Sequence, residues 1–511
     1  MGLQTAEVFQ CAGCKPAHPT SLLSSKLDIK NKTTMNPLKN KLAKTVFLAA
    51  CAVLSLPQGG SAAPRPNIVF ILADDLGYMD IGANNPSTFY ETPNIDRLAR
   101  NGMRFTQGYA ACCVCSPTRA SIMTGKYPPR VHVTNFIGGR KTGKMLPAPY
   151  QDHLALEEVT VAESLRNGGY TNFFAGKWHL GKDSYSPGAQ GFDVGFSDGT
   201  PFGYGESILP PPNHKDDGKT SDYIANLAVK FIESNRNRPF FAYLPFQAPH
   251  IPIQARADLL GKYKRKAESA TPDAWGKEGE NKVRLVQNHA GYAAMLEQLD
   301  SAIGRVISAL SSNGVAERTI VIFMSDNGGL STAEGHPTSN LPLRAGKGWP
   351  YEGGVREPLI ICAPGVTKPG SVCQTPVIST DFYPTLLQLA GLPLMPGQHK
   401  DGVSLLPLLK GGGLPPRALF WHYPHYANQG GGPCGTIRDG DWKLVEWYED
   451  GRLELFNLHQ DLGETKNLAV QNPEKVSALH TRLIAWRKEV NAVMPTPNSP
   501  EPSKATEAHS R

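Results

Sequence analysis

The stretch CCVCSPTRASIMTGKYP, Cys112 to Pro128, sets three thiols beside a proline, a threonine and an arginine. Zinc is a poor fit for Cys112, Cys113 and Cys115. Adjacent cysteines rarely converge on one tetrahedral ion, and no partner pair at metal spacing follows. A disulfide from Cys112 or Cys113 to a distant cysteine is open, and so is a thiolate nucleophile served by a histidine. Pro117 sits where a helix could start, at the first helical position, and TRASIMTG continues it. Cys115 then falls at or just before the helix N-terminus, where partial positive charge stabilises a thiolate or another anion.

Two apolar runs end in carboxylates. NIVFILADD closes on Asp74 and Asp75, and TIVIFMSDNGG closes on Asp326 and Asn327. In open parallel sheets, ligands bind at the carboxyl ends of the strands. Like charges gathered there are costly unless a cation neutralises them. An all-oxygen donor set favours a hard ion, calcium or magnesium, over zinc. One such pair alone would merely cap a turn. Two on matching strands point to a metal.

The elements that must position these groups follow from the pattern. The two carboxylate-ended runs, FFAYLPF (240–246) and PLIICAPG (358–365) read as strands buried on both faces, as in a parallel sheet. TVAESLRNGGY (160–170), SDYIANLAVKFIESN, residues 288–310 and TDFYPTLLQLAGL read as helices between them. Alternating strands and helices predict an α/β fold, with a mixed, largely parallel sheet sandwiched by helices, over residues 66–406. After about Pro407 the character changes. LKGGGLPP is a linker. ALFWHY, DWKLVEWY and RLELFNL are strand-like, with a hairpin turn at EDG, and PEKVSALHTRLIAWRKEV is an amphipathic helix. This predicts a small C-terminal α+β domain of antiparallel strands plus one helix over residues 417–492. The tail, 495–511, is rich in Pro, Ser and Glu and is expected to be disordered. No internal repeat is present.

The chain has 511 residues, 40% hydrophobic and 19% charged, which excludes disorder for most of its length. The net charge of +7 is scattered and partly carried by the first residues, so no nucleic-acid partner is expected. The only long apolar run, TVFLAACAVLSL, is too short to span a bilayer. It follows Lys39, Lys41 and Lys44 and precedes GGSAAP. Residues 1–63 therefore read as a leader with a secretory signal peptide cut after Ala63, the true start falling at Met35. LAAC, ending at Cys51, offers lipidation as the lesser alternative, and the protein is expected to be exported, periplasmic or secreted. Cys11 and Cys14 have redox or zinc spacing but fall inside this leader.

CSPTRASIMTGKYP resembles the signature of the type I sulfatases of the alkaline phosphatase superfamily, whose C-x-P-x-R cysteine is oxidised to Cα-formylglycine. GKWHLG (176–181) resembles the family's second signature. The paired aspartates after the first strand, QAPHIP (247–252), SDNGG and LRAGKGWPYEGGVREP (343–358) follow in the family's order. The resemblance covers nearly all of the chain after Pro66. It implies an alkaline phosphatase-like fold, a sulfuric ester hydrolase activity, and a maturase that makes the formylglycine.

The roles it implies fall on single residues. Cys115, as formylglycine, would be hydrated to a geminal diol whose one hydroxyl, on the cation, attacks sulfur while the second later expels sulfate. Arg119 would hold the diol. Lys177 and Lys347 would grip the sulfate oxygens. His179 would take the proton of the second hydroxyl, and His250 would donate to the leaving oxygen or contact the sulfate. Asp74, Asp75, Asp326 and Asn327, with the modified Cys115, would hold calcium. Cys112 and Cys113 take no role beyond packing or a disulfide. In the C-terminal domain, WHYPHY (421–426) places His422 and His425 near a sugar ring, by stacking and hydroxyl contacts. The expected substrate is a sulfated polysaccharide or oligosaccharide, attacked exo, or an aryl sulfate. The competing readings are a phosphodiesterase or phosphonate monoester hydrolase and a non-catalytic protein that binds sulfated sugar.

Overall fold

Asn67–Ala73 (β1) is apolar along nearly its whole length because helices cover both faces of the sheet it belongs to. Val69, Ile71 and Ala73 enter one core, while Ile68, Phe70 and Leu72 enter the other. Side chains alternate along a strand, so burial on both sides demands apolar residues at every position. The computed structural model describes residues 65–203 and 220–498. The predicted leader, with Met35, Cys11, Cys14, Cys51 and Ala63, lies outside the described residues.

Eight further strands form the sheet path with β1. They are β2 (Met103–Tyr109), β3 (Thr171–Gly176), β4 (Val194–Ser197), β5 (Thr200–Phe202), β6 (Phe240–Pro245), β7 (Thr319–Ser325), β8 (Arg356–Cys362) and β9 (Ser371–Cys373). Their order is β9-β2-β8-β7-β1-β6-β3-β4-β5, and the short Val377–Ile378 strand (β10) pairs β2 off this path. Registers are parallel from β7 through β1, β6 and β3 to β4. The reversed strands are β5 and β8. The PLIICAPG run of β8 is thus antiparallel, against the parallel expectation. Its continuous apolarity reflects burial on both faces and carries no information about direction.

The helices Thr220–Asn235 and Ala290–Ser312 supply Ile224, Phe231, Leu296 and Ile303 to the first core. On the other face, Ile122 and Met123 come from the Cys115–Thr124 helix, and Phe382 and Leu386 from the Phe382–Leu389 helix. The Cys115–Thr124 helix is buried at all ten residues. It begins at Cys115, so Pro117 is its third residue rather than its first. Proline is tolerated there because the first four helical N–H groups have no acceptor within the helix.

The C-terminal sheet is antiparallel, in the order β11 (Leu419–Tyr423), β12 (Cys434–Asp439), β13 (Trp442–Trp447) and β14 (Leu453–Asn457). Strand β12 follows the glycine-rich run 430–432 and is an element that the pattern of strand-like runs did not include. The Pro473–Glu489 helix lays Leu479, Leu483 and Trp486 onto this sheet, in a third core that also holds Cys112, Cys113, Tyr127 and Trp421. Beneath it, Lys443 is fully buried between Glu352 at 3.0 Å and Glu464 at 2.8 Å, which ties β13 to the segment before β8. The expected disorder from residue 495 does not begin there. Thr496 and Pro497 pair antiparallel with Leu146 and Met145, and the Asn498 N–H donates to the Lys144 carbonyl at 2.9 Å. Composition is blind to backbone pairing of this kind. Residues 499–511 lie outside the described residues.

Candidate active site

Four neighbouring parallel strands deliver the site at their carboxyl ends, as an open α/β sheet should. Asp326 and Asn327 follow β7, Asp74 and Asp75 follow β1, His250 follows β6, and Lys177 and His179 follow β3. Gly176 closes β3 with φ +140, and a Cβ there would lie 1.9 Å from the Pro245 carbonyl oxygen. Only glycine permits that approach, which lets the Lys177 N–H donate to the same oxygen at 2.8 Å. Lys347 comes from the loop before β8, and the Cys115–Thr124 helix points its N-terminus into the cluster.

Arg119 is 1% exposed and organises the centre. Its Nε donates to Asp326 Oδ2 at 2.9 Å, Nη1 donates to the Lys177 carbonyl at 2.6 Å, and Nη2 lies 3.6 Å from Asp74 Oδ2. Lys177 Nζ reaches Asp74 Oδ2 at 2.5 Å, and Lys347 Nζ reaches Asp75 Oδ1 at 2.7 Å. His250 Nε2 lies 3.5 Å from Asp75 Oδ2. Asn327 Nδ2 donates to Asp75 Oδ1 at 2.7 Å. Three carboxylates thus face two lysines and an arginine in a region almost closed to water. Isolated charges could not persist there, whereas paired and hydrogen-bonded ones can.

Burial pushes the Asp326 carboxyl up to about 7, helped by the neighbouring Asp74 charge and opposed by Arg119. Burial would raise Asp74 too, but Lys177, His250, Arg119 and Lys347 together hold it well below the usual carboxylate range. That repulsion between two buried carboxylates is what a divalent cation relieves. The donors for one are in place. Asp74 Oδ1 and Asn327 Oδ1 are buried and have no hydrogen-bond partner. Ligand atoms of Asp74, Cys115 and Asp326 lie within 4.8 Å of one another, as do those of Asp74, Asp75 and His250. The set is rich in oxygen and suits a hard cation.

Cys115 is 2% exposed, and its Sγ lies 3.3 Å from His179 Nδ1. His179 Nε2 lies 3.3 Å from the Ile137 carbonyl, which can only accept, so Nε2 carries the proton and Nδ1 turns its lone pair toward residue 115. Burial takes His179 down to about 3, with Lys177 and Arg119 adding to the effect, so the imidazole is neutral at pH 7. The six described cysteines, Cys112 and Cys113 among them, are all free.

Two clefts meet over this cluster. One, of about 580 Å³, is lined by Ile137, His153, Lys177, His179, Tyr185 and Gln247, among others. The other, of about 310 Å³, is lined by Asp74, Lys177, Gln247 and His250 among others. Lys177 and Gln247 form the wall common to both. Gln247 stood in the QAPHIP motif without a role, and His153 and Tyr185 carried no sequence signal at all.

His422 and His425 do not face either cleft, contrary to expectation. They are 3% and 0% exposed. His422 Nε2 contacts the Val493 carbonyl at 2.9 Å and its Nδ1 the Tyr448 hydroxyl at 2.8 Å, while His425 Nε2 contacts the Thr134 hydroxyl at 2.8 Å. Both ring nitrogens of His422 are thus paired, whereas His425 keeps a buried Nδ1 without a partner.

A family model described as Sulfatase matches residues 66–392, more than half of the chain. The chain belongs to the sulfatase family. A second family model, described as N-sulphoglucosamine sulphohydrolase, C-terminal, matches residues 345–489. This sulfatase is 34% identical to a Sulfatase of Formosa agariphila, over 84% of this chain and 90% of that one. It is also 34% identical to arylsulfatase A of Homo sapiens, over 84% of this chain and 89% of the relative. Among solved structures, that of Ps i-CgsB matches with a TM-score of 0.67 and 26% identity, over 83% of this chain and 92% of that one. The same Ps i-CgsB has been solved in complex with k-i-k-neocarrahexaose. The sulfatase is a sulfuric ester hydrolase of alkaline phosphatase-like fold. Among the described residues, no helix is long and apolar enough to cross a membrane.

Proposed function

We propose that this sulfatase hydrolyses sulfate esters of carbohydrates, with Cys115 converted to Cα-formylglycine and calcium held by Asp74, Asp75, Asp326 and Asn327. The observation that carries the reading is the neutral His179 Nδ1 aimed at residue 115 inside a buried cluster of three carboxylates, two lysines and an arginine. Bound there, the cation would supply charge stabilisation to oxygens at sulfur. The formylglycine hydrate would supply a nucleophilic hydroxyl together with a second one that a thiol or serine lacks.

The chain's own residues then have separable tasks. Arg119, fixed by Asp326 and the Lys177 carbonyl, orients residue 115 and offsets negative charge beside it. Lys177 and Lys347 bind the sulfate oxygens, where positive charge counts most as the S–O bond breaks. His179 Nδ1 accepts a proton from the hydroxyl on residue 115. His250, 26% exposed, lines the smaller cleft and donates a proton to the leaving sugar oxygen. The oligosaccharide bound by Ps i-CgsB supports a carbohydrate substrate. The basic and apolar run ahead of Ala63 supports export to the periplasm or beyond, where such polymers are met, after a maturase has acted on Cys115.

Rates on 4-nitrophenyl sulfate and on an aryl phosphodiester test the reading. The sulfate ester should be preferred in kcat/KM by at least about a hundredfold, as expected where a site is built for one leaving chemistry. A preference for the phosphodiester would overturn it.

A further inference from the structure

Beside the cluster, the larger cleft holds a feature that sulfate binding does not use. The rings of His153 and Tyr185 lie 3.8 Å apart, inclined by 30°. They meet across Gly181, two residues beyond His179, in the loop that carries Lys177. Gly181 has φ +115, and a Cβ there would fall 2.6 Å from Tyr185 Cβ and 2.8 Å from His153 Cβ. Only the missing side chain lets both rings close over this loop. Trp178 Nε1 donates to the Tyr185 carbonyl at 2.8 Å, and Asp152 Oδ1 holds His153 Nδ1 at 3.2 Å. The pair is therefore a braced platform whose position is set by the catalytic loop itself.

Its polar edge is unused. Among the described residues, the Tyr185 hydroxyl, the Lys182 ammonium and the Gln247 amide make no hydrogen bond or ion pair, yet all three residues line the same cleft. A cleft that combines a flat ring face with free donors matches a sugar, which offers an apolar C–H face and a rim of hydroxyls. A bare aryl group would leave those donors unanswered.

We propose that the His153–Tyr185 pair determines specificity for the leaving alcohol, a pyranose whose C–H face rests on the outward ring face of the pair. Its hydroxyls bond to the Tyr185 hydroxyl, Gln247 and Lys182. This rests on the sulfatase reading above and goes beyond it by naming the side chains that tell a sugar sulfate from an aryl sulfate.

The test compares wild type with Tyr185→Phe and His153→Ala on two kinds of probe. One is 4-nitrophenyl sulfate. The other is whichever of galactose 4-sulfate, galactose 6-sulfate and N-acetylglucosamine 6-sulfate the wild type turns over fastest. Each variant should lose at least about tenfold in kcat/KM on the sugar sulfate, mainly through KM, the size of one lost hydrogen bond or stacking contact. On 4-nitrophenyl sulfate Tyr185→Phe should stay within about threefold of wild type, because it keeps the ring face and the aryl group has no hydroxyl to lose. Tyr185→Phe keeps the ring and its packing, so its effect reads the hydroxyl alone. Parallel losses of Tyr185→Phe on both probes would mean that the pair only supports the loop, and unchanged constants of both variants on both probes would mean that it touches nothing; either overturns the proposal. So does a wild type that cleaves the aryl sulfate but none of the sugars. A wild type inert on both kinds of probe would instead overturn the sulfatase reading itself.

Discussion

His179 Nδ1 lies 3.3 Å from Cys115 Sγ, and its other nitrogen is spent on the Ile137 carbonyl. One imidazole lone pair is thereby reserved for whatever residue 115 carries. Cys115→Ala removes that group without disturbing the helix, since alanine is the best helix former. The variant should fold as wild type does, by thermal denaturation, and lose more than about a thousandfold in kcat. Cys115→Ser, with one hydroxyl, should give at most a single stoichiometric burst of product. Sustained turnover by either variant would exclude residue 115 as the nucleophile's source.

Asp74 and Asp326 crowd negative charge beside the unpartnered oxygens of Asp74 and Asn327. Dialysis against a chelator should abolish turnover of 4-nitrophenyl sulfate, and calcium should restore it better than magnesium. Because the cation binds only the folded state, calcium at a hundred times its dissociation constant should add about 2.7 kcal/mol of stability. Calorimetry with chelator and with calcium checks this, and coincident melting curves would count against a cation at these residues.

Lys443 is 0% exposed and bridges Glu352 and Glu464 beneath the C-terminal sheet. Lys443→Met removes one charge, which leaves the buried Glu464 without its cation and Glu352 with only Arg356, at 3.4 Å. The expected destabilisation is about 3–5 kcal/mol, read as a lowered urea midpoint. A midpoint within error of wild type would mean that the bridge contributes nothing.

The two misplaced histidines give a pH dependence of stability. Burial takes His422 down to about 4 and His425 down to about 3, against an ordinary value of 6.5. In the unfolded chain both gain a proton below pH 6.5, while in the fold they stay neutral. Their contribution is therefore intact above pH 6.5, falls progressively below it, and is fully lost once pH has passed through 4 for His422 and 3 for His425. Each costs about 1.4 kcal/mol per pH unit in that window. Urea denaturation at pH 7 and pH 5 should show the loss, and His422→Gln should flatten it. An unchanged slope in that variant would mean that the ring is protonated in the fold.

Legibility in the sequence followed burial. Asp74, Asp75, Asp326 and Asn327 were readable because β1 and β7 are apolar on both faces and stop at the same edge of the sheet. Lys177, His179 and Lys347 carry no local pattern that separates them from solvated charges, so only the resemblance singled them out. His422 and His425 misled because an aromatic, histidine-rich strand looks alike whether its side chains face a cleft or a core. His153 and Tyr185 were invisible. They lie far apart in sequence, and what joins them is the absence of a side chain at Gly181.

Conversion of Cys115 to an aldehyde is read directly by mass spectrometry of the tryptic peptide Phe105–Arg119 from active enzyme. Residue 115 should have lost the mass separating a thiol from an aldehyde, with Cys112 and Cys113 unchanged. A fully active preparation in which residue 115 is still cysteine would contradict it.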